Sequence, residues 1–391
     1  MARVLPLSSR TMGFPDLKSL FSAASRNGSA NEANGLLPQP LFIRALRLER
    51  KRAERSRKPF VLMLLDLPAP LRNSKGGNLL NKTVPAILSS TRETDIAGWH
   101  QENSALGVIF AELGAANTKS TLGALRARVT ILLQSVLRAE ELAQIRITFH
   151  CFPEDWGQDE TGLPIEKLYP DLVKRDESRK VSRAIKRTID VSGSAMALIL
   201  LSPVLLAIAL AIKLSSPGPV LFRQKRIGQY GVPFTCLKFR TMHTGNDPRI
   251  HMDYVKRLIR GNVSPGASGT NGNVYKITTD PRLTSAGRLL RKTSLDELPQ
   301  FFNVLRGDMS MVGPRPPIPY ELEAYDIWHR RRLLDVQPGI TGLWQVSGRS
   351  RLPFDDMVRL DLKYARAWSL WLDLKILLRT PQAVFSGEGA Y

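Results

Sequence analysis

The sequence predicts two dissimilar parts: an α/β sandwich of helices on a sheet over residues 39–155, then a mostly α part over 181–391 that a broken helix attaches to a membrane. Two observations carry this expectation. Helical and strand periodicities alternate between Pro40 and Phe152, the pattern of elements that pack as layers. Further on, Ala195–Ile212 is the only stretch apolar enough to enter a bilayer, and Ser202-Pro203 breaks it in the middle.

Taken in order, residues 1–38 are rich in Ser, Asn, Gly and Ala without apolar periodicity and read as a disordered arm. Residues 41–55 form a basic amphipathic helix, and Pro59–Asp66 is a short buried strand. A helix over 81–92, strands at 95–99 and 105–111, a helix over 120–138 and a strand at 145–152 complete the first part. Residues 156–180 read as a linker, polar and punctuated by Gly157, Gly162, Pro164 and Pro170.

Composition narrows the partners. Of 391 residues, 56 are Lys or Arg against 35 Asp or Glu, a net charge of +21 that calls for an anionic partner. Nucleic acid, an anionic membrane leaflet and a phosphorylated substrate all qualify. Nucleic acid is disfavoured, because aromatic residues are only 7%, no stacking motif appears, and basic residues cluster around the apolar run. Cys151 and Cys236 lie far apart without metal-ligand spacing, which excludes a disulfide framework and a zinc site. Residues 1–20 lack the apolar core of a signal peptide, so the amino terminus is expected in the cytoplasm.

The apolar run is 18 residues, the short limit for spanning. Arg183, Lys186 and Arg187 precede it, and Lys213, Arg223, Lys225 and Arg226 follow, which favours both ends on the cytoplasmic face. A helix that enters, breaks at Ser202 and Pro203 and returns meets the length, the break and the charges together. The serine hydroxyl can then cap a carbonyl that the kink frees. A straight span and a buried soluble helix are the competing readings.

Further along, Asp296 and Glu297 form an adjacent acid pair, and Arg315 follows, held between Pro314 and Pro316. Such a pair can supply a nucleophile and a metal ligand, and the arginine a planar fork for phosphate oxygens. Lys238 and Arg240 alternate with Phe239 in a strand-like run, which puts both on one face towards a diphosphate or uridine. By itself the pair also reads as a helix cap, with Ser294 at the N-cap and Glu297 reaching back to its amide. Trp344 and Gln345 either line the substrate pocket or, for Trp344, anchor at the membrane interface. His243, His251 and His329 show no paired spacing and are expected at the surface.

Two resemblances sharpen this reading. Residues 40–155, through Arg57-Lys-Pro-Phe-Val-Leu-Met-Leu-Leu-Asp66, Arg92–Asp95 and Ile147–Asp155, loosely resemble the diguanylate cyclase catalytic domain. His100-Gln-Glu-Asn-Ser104 stands where that family has paired glycines, so the domain is expected to be degenerate, with a structural or regulatory role. Residues 183–388 closely resemble the bacterial sugar transferases, the monotopic phosphoglycosyl transferases. The matching motifs are Pro217–Gly228, Phe234–Met242, Lys276–Arg282, Thr293–Pro316 and Gln337–Arg349.

The second resemblance implies transfer of a sugar 1-phosphate from a UDP-sugar to undecaprenyl phosphate, which initiates exopolysaccharide or other surface glycan synthesis. It implies Asp296 as nucleophile, an aspartyl-phosphosugar intermediate, UMP release, Mg²⁺ held by Glu297, and a re-entrant helix over about 186–213 at the bacterial inner membrane with the catalytic face in the cytoplasm. Arg282 and Arg349 fall within its motifs and join Arg315, Lys238 and Arg240 as expected substrate contacts. The motif around Trp344 resembles members that use glucose or galactose 1-phosphate. A homodimer is compatible with this reading. A catalytically inactive membrane scaffold is its competitor.

Overall fold

The computed structural model describes residues 35–67, 76–111, 118–153, 165–245, 249–259, 282–348 and 352–385. Residues 1–34 of the expected arm, Lys276–Pro281 and Arg349 lie outside them. The chain divides into two compact units, Met1–Glu154 with Glu166–Asp171, and Asp155–Ile165 with Leu172–Tyr391.

In the first unit, helix α1 (Gln39–Ser56) leads into strand β1 (Phe60–Asp66), followed by α2 (Gly76–Ser90), β2 (Ile96–Gln101), β3 (Ala105–Phe110), α3 (Thr118–Val136) and β4 (Arg146–Phe152). The sheet order is β2-β3-β1-β4, with β1 antiparallel to both neighbours. Strand β1 reads as a continuous apolar run because both its faces are covered. Val61, Met63 and Leu65 join the core with Val84, Ile87, Val129 and Leu133 of α2 and α3. The opposite face receives α1, and Phe42 packs where Gly98 and Gly107 leave room, since a Cβ on Gly107 would lie 2.4 Å from its ring.

The stretch read as a linker carries two helices, Ile165–Leu168 and Pro170–Ser178. Its Leu168 and Tyr169 are buried, and Arg50 donates to the Leu168 carbonyl at 2.9 Å. Gly157, Gly162 and Pro164 lie outside the described residues, and two buried apolar residues between polar neighbours were too short a signal to read as packing.

The second unit is mostly helical. Helices α4 (Lys180–Leu200) and α5 (Ser202–Ser215) meet at a bend of 62°. The hairpin β5 (Leu221–Ile227) and β6 (Pro233–Phe239) follows, then α6 (Arg249–Ile259), α7 (Ser285–Lys292) and α8 (Gln300–Arg306). A parallel pair, β7 (Ser310–Val312) and β8 (Gly339–Thr341), leads to α9 (Phe354–Ala367) and α10 (Leu370–Phe385). Among the described residues no single helix is long and apolar enough to cross a membrane; the bent pair is, by length and composition.

That pair is two-sided. Ile208 and Ile212 pack with Phe239, Leu290, Leu295 and Leu298, so α5 supports the segment that carries the acid pair. Elsewhere it leaves Ile199, Leu200, Leu206, Leu210 and Leu214 well exposed, Leu206 at 72% and Leu214 at 79%. A contiguous apolar surface of this kind is rare on a protein that meets only water.

Candidate active site

The site is assembled on the β5–β6 hairpin. Buried Asn303 in α8 accepts the Leu237 amide at 2.9 Å and donates to the Thr235 carbonyl at 2.7 Å, which fixes α8 against β6. Arg187 of α4 donates to the Val304 and Leu305 carbonyls at 2.6 and 2.9 Å, satisfying the last turn of α8 with a cation where the helix dipole favours one. The short segment between α7 and α8 is thereby held at its C-terminal end.

Asp296 and Glu297 lie in that segment, and their local structure differs from the expected capping box. Ser294 has φ 55 and makes no side-chain cap, and Leu295–Glu297 is a single 3₁₀ turn. Glu297 reaches across to β6 instead, where Lys238 Nζ lies 2.7 Å from Oε1, and Arg315 stands 3.7 Å from the same oxygen. Two cations outbid one backbone amide for the carboxylate. Asp296, beside it, is 8% exposed.

Arg315 is positioned by close backbone contact. Gly339 donates to the Pro314 carbonyl at 2.9 Å, and Gly313 to the Thr341 carbonyl at 2.8 Å. A Cβ on Gly339 would lie 2.0 Å from the Gly313 nitrogen, so β7 and β8 can meet this closely only through glycine. Buried Arg226, noted in the sequence only as a flanking charge, donates to the Pro316 carbonyl at 2.5 Å. The cleft so formed is lined by Arg226, Lys238, Glu297, Gln300, Arg315 and Gln345, with Cys236 at its floor. The Gln345 amide nitrogen donates to the Ile340 carbonyl, while its buried oxygen has no partner.

The other expected contacts are placed differently. Strand β6 ends at Phe239, so the alternation with Lys238 stops before Arg240, whose guanidinium is buried on the Ser216 and Pro217 carbonyls at 2.8 Å. It clasps the chain leaving α5. Arg282 joins Arg226 and Arg315 in the electrostatic surroundings of Tyr320, whose hydroxyl is pushed up to about 12, chiefly by burial. Sequence reasoning missed Gln300, which lines the cleft and carries no motif of its own. Trp344 is buried, which leaves no place for it at a membrane interface. His329 is buried as well: it accepts the Asp326 amide at 3.0 Å and faces Asp355, and burial lowers its pKa.

At the bend, Ser202 Oγ donates to the Ile199 carbonyl at 2.8 Å, and Pro203 stands in the first turn of α5, where its missing N–H costs nothing. The bend is thus built from the two residues that the sequence singled out.

Comparison with known proteins gives this geometry a lineage. Residues 181–387, more than half of the chain, match the model of the family described as bacterial sugar transferase. The undecaprenyl-phosphate galactose phosphotransferase of Salmonella typhimurium is 40% identical over 221 residues, 56% of this chain and 44% of that protein. The exopolysaccharide production protein ExoY of Rhizobium meliloti is 41% identical over 216 residues, 54% of this chain and 91% of that protein. Several of the relatives are matched over less than half of their own length. A solved DGC protein from Thermotoga maritima overlaps 36% of this chain and 95% of its own, at 19% identity and a TM-score of 0.27. On residues 181–387, the chain belongs to the bacterial sugar transferase family.

Proposed function

We propose that the protein transfers a sugar 1-phosphate from a UDP-sugar to undecaprenyl phosphate, as an initiating step of exopolysaccharide or other surface glycan synthesis. One observation carries this reading. Glu297, adjacent to buried Asp296, shares a cleft with Lys238 and Arg315, so a carboxylate pair sits where cations can neutralise a diphosphate. The galactose phosphotransferase name of one relative and the exopolysaccharide role of another support the same substrates.

In this mechanism an Asp296 carboxylate oxygen attacks the sugar-linked phosphorus. The new O–P bond forms as the bond from that phosphorus to the bridging oxygen breaks, and UMP leaves with the bond's electrons. Undecaprenyl phosphate then attacks the aspartyl-phosphosugar, and the Asp296 carboxylate returns. Arg315, held rigid by Pro314, Pro316 and the Gly313–Gly339 contact, binds non-bridging oxygens, and Lys238 holds Glu297 beside them. Arg226 adds a buried cation to the same wall.

Glu297 is the residue that would hold Mg²⁺. No group of three or more His, Cys, Asp or Glu able to hold a metal ion occurs among the described residues, and this suits magnesium, which commonly takes one or two carboxylates and completes its shell with water and substrate phosphates. When bound, the ion neutralises the charge of the diphosphate. The bent α4–α5 pair, with basic residues at both ends and apolar side chains exposed between them, supports a re-entrant attachment to the bacterial inner membrane from the cytoplasmic side. The lipid phosphate and a soluble nucleotide sugar could then reach one cleft. The sugar in this reading is glucose or galactose.

The experiment is UMP release by detergent-solubilised protein given UDP-glucose or UDP-galactose, Mg²⁺ and undecaprenyl phosphate. Asp296→Asn should lower the rate by roughly a thousandfold or more, as expected for loss of a nucleophile. Full activity in that variant would remove Asp296 from its role. Absence of UMP release from the unaltered protein with every UDP-sugar would favour the scaffold.

A further inference from the structure

A second cavity, of about 270 Å³, opens beside the N-terminal half of α4 and shares no lining residue with the acid cleft. Arg179, Arg183, Lys186 and Arg187 line it, and Arg179, Arg183 and Arg187 repeat every four residues along one helical face, with Lys186 three residues after Arg183. Asp190 and Asp335 are the carboxylates of the same wall, so cations outnumber anions by four to two. Part of that charge has a structural task. Lys186 bonds Asp373 at 2.6 Å, and Arg187 caps α8.

Two features are left over. Gln229 lines this cavity, and its amide nitrogen, buried in the wall, has no acceptor. A buried donor without a partner is unfavourable, and a ligand oxygen would supply what it lacks. The Arg179 guanidinium lies 5.9 Å over the Trp368 ring, which gives the cavity a flat amphipathic edge. An acceptor that satisfies an amide N–H within a basic wall is an anionic oxygen.

We propose that this cavity binds a phosphate oxyanion, supplied by the headgroup of an anionic lipid. The class of ligand follows from Gln229 and the basic wall. Its source rests on the membrane attachment argued above. Asp190 lies five positions before Ala195, a rise of roughly 7.5 Å along the helix, so an inserted apolar arm sets the Asp190 end of the cavity at headgroup depth.

The test uses the full chain in neutral detergent with three probes: inorganic phosphate, dihexanoyl phosphatidylglycerol and dihexanoyl phosphatidylcholine, read by equilibrium binding and by Tm. Phosphatidylglycerol should bind saturably and raise Tm, and phosphatidylcholine should not. Gln229→Met and Arg179→Gln should each weaken that binding by about tenfold, because each removes a hydrogen bond or a charge facing the anion. Asp296→Asn should leave it unchanged, which separates this cavity from the acid cleft. Equal binding of inorganic phosphate, lost in the same variants, would keep the oxyanion site and transfer it to a soluble ligand. Binding of no probe, or binding unaltered in both variants with their Tm intact, would overturn the site and leave Gln229 to solvent. UMP release is a separate readout, so failure here does not touch the transferase reading.

Discussion

Each unit of this chain closes a carboxylate on a lysine, and the two pairs have different surroundings. In the first unit Asp66, at the end of β1, stands 3.4 Å from Lys167, with both side chains about a third exposed. Lys167 also lies 3.4 Å from Thr148, and the nearby His100 and His150 have lowered pKa values through burial. In the second unit Glu297 stands 2.7 Å from Lys238, both more shielded, and Arg315 and Arg226 add guanidinium groups to the same cleft. A carboxylate with one lysine neutralises itself. Only the second constellation gathers several cations around one carboxylate, a setting that suits a substrate bringing its own negative charge.

The sharpest way to break this comparison is Glu297→Gln. If the pair in the second unit serves phosphate chemistry, UMP release should fall by roughly a hundredfold to a thousandfold, since one ligand of the neutralising ion is lost. Added Mg²⁺ should recover part of that loss. A change of less than about threefold would make Glu297 a structural partner of Lys238, no different in kind from Asp66 beside Lys167.

How much of this was legible beforehand depends on distance along the chain. The alternating elements of the first unit were readable because β1 is covered on both faces and its apolar run is continuous. The bend was readable because Ser202 and Pro203 determine it locally. Asp296, Glu297 and Arg315 were readable as chemistry, but their geometry was not. The capping box failed because Lys238, 59 residues away, takes the carboxylate. The surroundings of Arg240 were hidden for the same reason: its partners Ser216 and Pro217 stand more than twenty residues away, where no periodicity announces them. Asn303, buried and bonded to two backbone groups of β6, gave no signal at all.

Arg315 offers a finer cut, because it distinguishes a charge from a fork. Lysine at this position keeps the cation but loses planar, bidentate bonding, and the rigid Pro-Arg-Pro setting gives its single ammonium little freedom to adapt. Arg315→Lys should lower kcat/KM by roughly tenfold to a hundredfold, with Tm within about 2 °C of the parent. If lysine serves as well as arginine, the second unit needs only positive charge, and the contrast with the first narrows to a count of cations.

The histidines extend the comparison to pH. Burial lowers His150 to about 4, with Lys167 and His100 acting the same way. A folded pKa below the unfolded value of about 6.5 means that this contribution to stability is present above pH 6.5 and is lost as pH falls towards 4. With part of the ring exposed and screened, the loss is about 1–2 kcal/mol. Amide exchange at Leu62–Leu64, whose strand pairs with that of His150, should speed up between pH 7 and 4.5 after correction for intrinsic rates, and His150→Gln should remove part of the slope, with His100 accounting for a further share. His329 in the second unit is lowered too, so peptides from that unit should keep their own acid sensitivity in the same variant.

The smallest expected effect is the one that tests the other half of the contrast. Asp66→Asn removes the carboxylate from a partly exposed pair at 3.4 Å, a class of contact worth about 0–1 kcal/mol. Lys167 keeps its contact with Thr148 and its exposure to solvent, so no buried charge is stranded. Stability of the first unit should change by less than about 0.5 kcal/mol in local amide exchange. UMP release should stay within about twofold of the parent, because the acid pair, Lys238 and Arg315 are all held by contacts within the second unit. A larger fall in activity would mean that the carboxylate of the first unit does influence the transferase chemistry, and the likeness of the two acid–lysine pairs would then be functional and not merely geometric.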